Sequence, residues 1–466
     1  MMFVDLFAGG GGTSTGLVLA SRDIGKTNIG LTAINHNAKA LQTHEANFPW
    51  ARHVLTELQF VDPLEIAPEG RLDGLVASPE CTFFSRARGG KPIRPQDRAS
   101  PWYIGKWITK LDIPWVLIEN VPEIVNWGPL QADQKTPVRA KKGTYFRLWK
   151  YMFQKAGYSF DYRFLNSANY GDATTRTRFF AIARNDGMPI IWPEPTHSRS
   201  PGGGQKEWLS ARDHVIDWNL KGTSIFSRKK PLSKNTMDRI IAGLKKFGSK
   251  ELQPFIVMLE HSQLSPVNRI RSIDIPLPTI TGARGGAIAL AQPFILPVEG
   301  YWKGNQPKSV DNPLGTITQR GYGGIVESFI LSQASGGSPR NVSEPVPTIP
   351  TAGKHALIQP YLIEYYGRSE TASIEDPIPT ITTNDRFGLV EPFVKVDGTV
   401  YRLEVLYRML KPHELSQAMG FPVGYKFLGS QQERVKQIGN AVAVNMAKAL
   451  ITSLMMRPRQ HPLMEY

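Results

Sequence analysis

Short apolar runs alternate with amphipathic segments over the first 190 residues. Phe3–Phe7 is an apolar run that enters a row of glycines, and Thr13–Ala20 follows with helical spacing. The same order is repeated by an apolar run at Leu31–Ile34 and a helical segment at Ala38–Ala46. This alternation of strand and helix predicts an α/β domain with a largely parallel sheet and helices on both faces.

Three further apolar runs extend the predicted sheet. Gly74–Ala77 and Trp115–Ile118 each read as a strand, and Phe179–Ala183 as a later one. In open sheets of this kind, ligands bind beyond the carboxyl ends of the strands. The glycine loop, Cys81 and Glu119 each come just after a predicted strand, so we expect them to share one site.

The pattern changes after Glu194, where Pro, Gly, Ser and Thr become frequent and helical spacing persists only near Asn235–Phe247. A motif recurs there, with Thr-Ile pairs 37, 32 and 32 residues apart. A period near 32 residues with short β-prone runs predicts stacked β-units in one elongated domain. The copies are PLPTIT (Pro276–Thr281), PLGTIT (Pro313–Thr318), PVPTIP (Pro345–Pro350) and PIPTIT (Pro377–Thr382). The aromatic residues that follow the copies are Phe294, Phe329, Tyr361 and Phe393.

The end of the chain returns to helical spacing. Leu403–Leu410, Pro412–Met419 and Glu433–Leu454 carry apolar residues at this spacing, which predicts helices. The sequence therefore divides into an α/β first part, a β-rich middle and a helical end. The predicted limits of these parts are 1–193, 194–398 and 399–466.

Charge points to a polyanionic partner. The chain has 466 residues with a formal net charge of +15, and such an excess is typical of proteins that bind nucleic acid. A generally basic surface is the alternative. The basic residues are clustered, however, which favours a binding face: one group is Arg86, Arg88, Lys91, Arg94 and Arg98, and another is Arg139, Lys141 and Lys142.

Composition also sets limits on compartment and chemistry. The single cysteine excludes an internal disulfide and a cysteine-rich metal site. His36, His44 and His53 are too widely spaced to suggest a metal, so we predict none. The start of the chain lacks a basic segment followed by an apolar core, and no apolar run reaches the roughly 18 residues of a membrane span. We expect a cytoplasmic protein without membrane contact.

The glycine loop and the cysteine are the first candidates for chemistry. In Asp5-Leu6-Phe7-Ala8-Gly9-Gly10-Gly11-Gly12, glycines let backbone amides approach a ligand, although the spacing fits neither a dinucleotide fingerprint nor a P-loop. A plain tight turn is the alternative. Cys81 follows a proline in a loop beyond a strand, and the nearby basic residues favour its thiolate. A buried, inert cysteine is the alternative there.

Three other segments carry polar residues beside apolar runs. Glu119 follows a buried strand, where burial of an acid without a role is costly. Arg176 and Arg178 are two apart at the start of a strand and therefore share one face. Gly439-Asn440 ends a loop and begins a helix, for which Asn is a good cap. A solvated acid, an ordinary basic pair and a simple cap are the alternatives.

These segments, in this order, resemble the C5-cytosine DNA methyltransferase family over residues 1–190 and 400–455. Each motif of the family has a counterpart. The family's D-L-F-x-G-x-G is Asp5–Gly11, its P-P-C ends at Cys81, its E-N-V is Glu119–Val121, its Q-x-R-x-R is Thr174–Arg178, its G-F-P is Gly420–Pro422, and its G-N-S/A-V is Gly439–Val442. The resemblance implies a Rossmann-like methyltransferase domain that uses S-adenosylmethionine, with an inserted, mainly β target-recognition domain.

The resemblance also implies a mechanism. The Cys81 thiolate would add to C6 of a cytosine flipped out of duplex DNA, so that C5 can accept the methyl group. Glu119 would hold or protonate N3, and Arg178, supported by Arg176, would bind O2. The implied cofactor residues are Phe7, Gly9, Gly11, Asn35, Glu57, Asn440 and Val442. The implied DNA-binding residues, on a mobile loop that closes over the duplex, are Arg86, Arg88, Lys91 and Arg94.

The sequence departs from the family at three positions. Glu80 replaces the second proline of P-P-C, Thr174 replaces the Gln of Q-x-R-x-R, and Asn35 stands where the family has an acid for the ribose hydroxyls. We expect a monomeric enzyme acting on double-stranded DNA. A transfer RNA methyltransferase and a catalytically inactive DNA-binding relative are the alternatives. A pair with a restriction endonuclease, phage self-protection and epigenetic marking are the open biological roles.

Overall fold

The computed structural model describes residues 1–80, 99–131, 138–225, 255–259, 265–280, 288–292 and 405–456 with nearly all their side chains. It also describes isolated positions between 228 and 240 and the backbone of strands between 293 and 404. Cys81, the basic segment Arg86–Arg98 and the last three copies of the repeat motif lie outside the described residues.

A twisted sheet forms the first part of the chain, as the alternating pattern predicts. Its strand order is β3-β2-β1-β4-β5-β7-β6, parallel from β3 to β5 and antiparallel at β7 and β6. The strands are β1 (Met2–Leu6), β2 (Gly30–Asn35), β3 (Arg52–Leu55), β4 (Gly74–Ala77), β5 (Trp115–Asn120), β6 (Ser159–Asn166) and β7 (Thr177–Arg184). The helices between them are α1 (Gly12–Asp23), α2 (Ala38–Asn47), α3 (Pro63–Ile66), α4 (Ile104–Lys110) and α5 (Thr144–Lys155).

Both faces of this sheet are covered by apolar side chains. Successive residues of β1 point to opposite faces, so Phe3 joins one buried cluster with Leu17 of α1, and Val4 joins another with Ile34 of β2. Burial on both faces explains why these strands read as continuous apolar runs.

Strand β5 is longer than the sequence indicates. The sequence predicts an end at Ile118, with Glu119 and Asn120 beyond it, but both are the last residues of the strand. Glu119 pairs with Phe180 and Asn120 with Phe179 of β7. The antiparallel neighbour β7 extends β5 by supplying backbone partners. Glu119 is therefore buried at the carboxyl end of β5.

The inserted region is mainly β, as predicted, and three of its strand groups share one arrangement. A central antiparallel strand lies between two others in each of the groups β12-β11-β13, β15-β14-β16 and β18-β17-β19. Each central strand starts at an aromatic residue: Phe255, Phe329 or Tyr361. The strands are β8 (His197–Ser198), β9 (Lys206–Glu207), β10 (Thr223–Ser224), β11 (Phe255–Met258), β12 (Ile270–Ser272), β13 (Ile288–Pro297), β14 (Phe329–Ser332), β15 (Pro339–Asn341), β16 (His355–Ile358), β17 (Tyr361–Glu364), β18 (Thr371–Ser373), β19 (Phe387–Val390) and β20 (Phe393–Val396). A short helix, α6 (Ala211–His214), precedes β10.

One predicted helix is wrong. Leu403–Leu410 belongs to strand β21 (Thr399–Met409), which pairs with β13, β20 and β10. The segment also carries apolar residues at every second position, from Leu403 to Met409, and this strand period prevails because partners exist on both sides. The domain limits remain a prediction, and the pairing of β21 favours a return at Lys411.

The last predicted helix is two helices. The described residues from Lys411 onward contain α7 (Pro412–Ala418), α8 (Gln431–Asn440) and α9 (Val444–Met455). Gly439-Asn440 ends α8, and the residue before α9 is Ala443, so Asn440 does not cap a helix start as the sequence predicts. The break interrupts a 25-residue stretch that contains an 18-residue window with a mean hydropathy of 1.3, which by length and composition would suit a membrane span. Here α9 packs in the core against α1, where any side chain on Gly16 would collide with Ala447.

Candidate active site

The glycine loop follows β1 with a strained backbone. Phe7 has a φ of 63°, Gly9 of 54° and Gly11 of 93°, a region that non-glycine residues rarely adopt. Among the described residues, only the Phe7 carbonyl oxygen, at 3.8 Å, lies near the place of a Cβ on Gly9. Beside Gly11, a Cβ would collide with the hydroxyl of Tyr425. Gly9 thus leaves room for a ligand, whereas packing already explains why Gly11 is a glycine.

The remaining predicted cofactor residues occupy different places. Asn35 ends β2, and its Oδ1 accepts the Asn37 backbone N–H at 2.7 Å, which leaves the side-chain amide to donate. Glu57 is exposed just beyond β3. Asn440 is exposed at the end of α8, and Val442 is buried with its backbone against Gly12. Open space at Gly9 and polar groups at the ends of β2 and β3 fit a nucleoside with hydroxyls, as S-adenosylmethionine has.

Glu119 and Arg178 meet at the carboxyl end of β5. Arg178 Nε lies 3.3 Å from Glu119 Oε1, and both side chains are largely buried. Burial raises the pKa of Glu119, while the positive charges of Arg178 and then Arg176 oppose the rise. An acid with a raised pKa, held beside a guanidinium, can donate a proton or hydrogen bond to a ring nitrogen.

Arg176 supports this pair from within the protein. The residue precedes β7, is 3% exposed, and donates from Nη1 to the carbonyl oxygens of Ile280 at 3.3 Å and Gly439 at 3.0 Å. Arg176 is thus buried on backbone partners, while Arg178 is the arginine beside the acid, and the supporting role of Arg176 stays a prediction. One side chain therefore joins β7, the insertion and the Gly439-Asn440 motif.

Thr174 fastens the first repeat copy to the catalytic sheet. Its Oγ1 donates to the carbonyl oxygen of Pro278 at 3.1 Å, and Leu277 exchanges backbone hydrogen bonds with Ala173 and Thr175. The family's glutamine is thus replaced by a short residue, completely buried, that meets the PLPTIT segment. No local sequence pattern indicates this contact, which joins residues 104 apart.

Asn120 connects the strand of Glu119 to the segment before Cys81. Its Nδ2 donates to the carbonyl oxygen of Pro79 at 3.0 Å, and its Oδ1 accepts the Val121 backbone N–H at 2.9 Å. In the sequence, Asn120 stands out only as part of the E-N-V motif. The structure makes it the link between the acid and the segment that leads to the predicted nucleophile.

A chain of buried polar groups lies under the glycine loop. Ser14 Oγ donates to Asp5 Oδ2 at 2.6 Å, so His44 Nε2, 2.9 Å from the same Ser14 oxygen, acts as donor to Ser14. His44 Nδ1 then accepts from His53 Nε2 at 2.9 Å. Burial raises the pKa of Asp5 to about 7 and lowers the pKa of His44 to about 3. The sequence spacing indicates separate histidines, and the structure brings two of them into contact.

His36 and Glu80 form a second contact that the sequence did not indicate. His36 Nε2 lies 3.4 Å from Glu80 Oε1, and both side chains are partly exposed. His36 follows β2 and Glu80 follows β4, on either side of β1 in the sheet. Among the residues that the structure describes, no group of three or more potential metal ligands occurs.

Comparison with known proteins gives one family. Its profile, described as C-5 cytosine-specific DNA methylase, matches residues 1–203 and 337–456. The similar proteins include type II methyltransferase M1.HphI of Haemophilus parahaemolyticus, 26% identical over 42% of this chain and 50% of its own length. Another is M.SacI of Streptomyces achromogenes, 28% identical over 40% of this chain and 44% of its own. The chain thus spans about half the length of these relatives.

A solved structure confirms the fold. A mutant of DNMT2 from Spodoptera frugiperda superposes with a TM-score of 0.51 at 15% identity, over 98% of this chain and 100% of that one. At this identity the likeness concerns the fold alone. It agrees with a mostly parallel sheet flanked by helices.

Proposed function

The chain belongs to the C-5 cytosine-specific DNA methylase family, and from this membership we propose that it methylates C5 of cytosine in a specific duplex DNA sequence. The observation that carries the proposal is the contact between Glu119 and Arg178 at the end of β5. Asn120, the next residue of that strand, is hydrogen-bonded to Pro79, two residues before the predicted nucleophile. An acid and a guanidinium beside that segment are the groups that the reaction needs.

We assign a role to each of the chain's own groups. The Cys81 thiolate adds to C6, and the electron pair released at C5 attacks the methyl group that S-adenosylmethionine supplies. Glu119 donates to N3 as charge develops on the ring, and Arg178 binds O2. Transfer of the C5 proton to a water molecule then restores the C5–C6 double bond and expels the Cys81 thiolate.

The inserted region and the net charge support DNA as the substrate. A long β insertion with a repeat gives a separate surface for reading a sequence, which a methyltransferase of one transfer RNA would not need. The charge of +15 would bind phosphates and make the affinity depend on salt. Arg86, Arg88, Lys91 and Arg94 remain the predicted DNA contacts on the loop after Cys81.

Partners and location are parts of the same proposal. Both relatives described above are named type II methyltransferases, which supports a modification enzyme that has a restriction endonuclease as its counterpart. We propose that it acts in the cytoplasm as a monomer.

Transfer of labelled methyl groups tests the proposal. Purified protein is incubated with labelled S-adenosylmethionine and either unmethylated duplex DNA or transfer RNA, with Cys81→Ala as the inactive control. We expect label in DNA only, and bisulfite sequencing then gives the target site. Label in transfer RNA alone would identify the RNA enzyme, label in neither would indicate an inactive relative, and an active Cys81→Ala protein would refute the assignment of the nucleophile.

A further inference from the structure

We propose that Glu80 selects the charged methyl donor over its uncharged product, by presenting a carboxylate to the cofactor cleft. This inference rests on the proposed function, because it concerns S-adenosylmethionine at the glycine loop. It gives a role to the residue that replaces the family's second proline.

The direction of the Glu80 side chain comes from its partner. Strands β2 and β4 flank β1, and the glycine loop follows β1. His36 lies beyond β2 and Glu80 beyond β4, so a 3.4 Å contact between their side chains crosses the carboxyl end of β1. Glu80 therefore points over the glycine loop, away from β5 on the other side of β4.

The position of Glu80 along the chain brings its charge near the transferred methyl group. Adjacent Cα atoms are about 3.8 Å apart, and Glu80 immediately precedes Cys81. In the proposed reaction the base is bonded to Cys81 while it accepts the methyl group, so the sulfonium must lie close to this loop. Glu80 is thus the acid nearest in sequence to the residue that holds the base during methyl transfer.

The two forms of the cofactor differ by one charge at that atom. S-adenosylmethionine has a sulfonium, whereas the product S-adenosylhomocysteine has a neutral thioether. A carboxylate within about 6 Å in a partly solvated cleft attracts the sulfonium and not the thioether. This attraction should favour S-adenosylmethionine over S-adenosylhomocysteine roughly tenfold in relative affinity. Asn35 provides no competing negative charge, because its Oδ1 accepts a hydrogen bond from Asn37 and the end of β2 has no carboxylate.

His36 holds the carboxylate without supplying the selecting charge. Its side chain and that of Glu80 are 40% and 29% exposed, so the pair is a surface contact of small net energy. Removal of His36 should weaken the ordering of the two loops. It should leave the preference between the two cofactor forms nearly intact.

The test compares the dissociation constants of S-adenosylmethionine, S-adenosylhomocysteine and sinefungin, measured by calorimetry without DNA. Sinefungin carries a cationic amine in place of the sulfonium. In Glu80→Gln we expect the preference for both cations over the neutral product to fall roughly tenfold. Glu80→Asp should keep most of the preference, and His36→Gln should change it by less than about threefold.

Controls separate selection from a structural role. Glu69→Gln makes the same change on an exposed turn before β4, at the opposite end of that strand, and should leave all three constants unchanged. If Glu80→Gln weakens all three ligands equally, the residue is merely structural and the inference is wrong. If Glu80→Gln does not fold, Glu80→Pro, with the family's residue, serves as the uncharged variant. Absence of methyl transfer to DNA with an intact preference would refute the proposed function alone.

Discussion

Asn120 donates a hydrogen bond to the carbonyl oxygen of Pro79 across 3.0 Å. The residue after the predicted acid thereby fixes the residue two positions before the predicted nucleophile. The acid lies at the end of β5 and Pro79 follows β4, so one buried side chain joins the ends of two neighbouring strands.

Asn120→Ala should slow methyl transfer 10- to 100-fold. The substitution leaves the buried carbonyl oxygen of Pro79 without its donor, which costs about 1–3 kcal/mol and displaces the loop. The dissociation constant of S-adenosylmethionine should stay within about threefold, since the glycine loop is unaltered. Single-turnover transfer and calorimetry measure the two effects. Tyr103→Phe, which removes a more exposed hydrogen bond to Gln59, is the matched control, and a normal transfer rate in Asn120→Ala would contradict the expectation.

Glu119→Gln should reduce kcat by about 10²–10⁴-fold, because the amide cannot deliver a proton to the ring. In the wild-type enzyme the raised pKa of Glu119 means that the protonated form persists to higher pH than for an ordinary glutamate. Activity through this group should fall as the pH rises through its pKa, and the fall should be missing in Glu119→Gln. Arg163→Gln, which removes an arginine stacked on Trp192, controls for loss of a charged side chain. A pH profile of unchanged shape in Glu119→Gln would argue against the assignment.

Asp5 and His44 should have opposite effects on how stability depends on pH. The folded state holds the proton of Asp5 up to about pH 7, so its contribution to the free energy of unfolding falls as the pH rises from about 4 to 7. The unfolded chain protonates His44 near pH 6.5 while the folded state does so near 3, so that contribution rises with pH over the same window. The contributions of these two groups should therefore largely cancel there.

Urea titrations of Asp5→Asn and His44→Gln between pH 4 and 7 separate these contributions. Relative to the wild type, Asp5→Asn should gain stability as the pH rises and His44→Gln should lose it, with differences in slope of up to about 1.4 kcal/mol per pH unit. Parallel curves for both variants and the wild type would show that neither group is buried in the proposed protonation state.

Glu414→Gln should destabilise the fold by about 3–5 kcal/mol, because Arg408 would keep its buried charge without a carboxylate. Both terminal nitrogens of Arg408 contact Glu414 at 2.8 Å, and Glu414 is completely buried. The matched control is Asp274→Asn, which breaks an exposed pair with Arg212 and should cost less than about 1 kcal/mol. Equal losses in the two variants, measured by urea unfolding, would contradict this difference.

Sequence patterns located the sheet and the acid–arginine pair for a physical reason. Apolar runs mark strands buried on both faces, and Gly74–Ala77 has the predicted bounds. Glu119 and Arg178 meet because β7 is antiparallel to β5, so its first residues lie at the edge where β5 ends. The order of motifs then indicated the family.

The remaining contacts depend on tertiary packing that no local pattern encodes. Ser14 and His44 are 30 residues apart, and their polarity alone would place them at the surface. Leu403–Leu410 fits both a helix and a strand, and only the partner strands decide between them. His36 and Glu80 come together because β2 and β4 both neighbour β1, an order that the sequence does not state.

The contact of Thr174 with Pro278 bears on how such enzymes acquire new targets. The first repeat copy is bonded to the catalytic sheet through Thr174, Arg176 and Leu277, so it belongs to the catalytic body rather than to the exchangeable part of the chain. Under the proposed function, we expect recombination that imports foreign recognition sequence to keep these contacts when its upstream crossover falls beyond Ile280. A lineage can then shuffle, add or drop later copies while inheriting the same catalytic body.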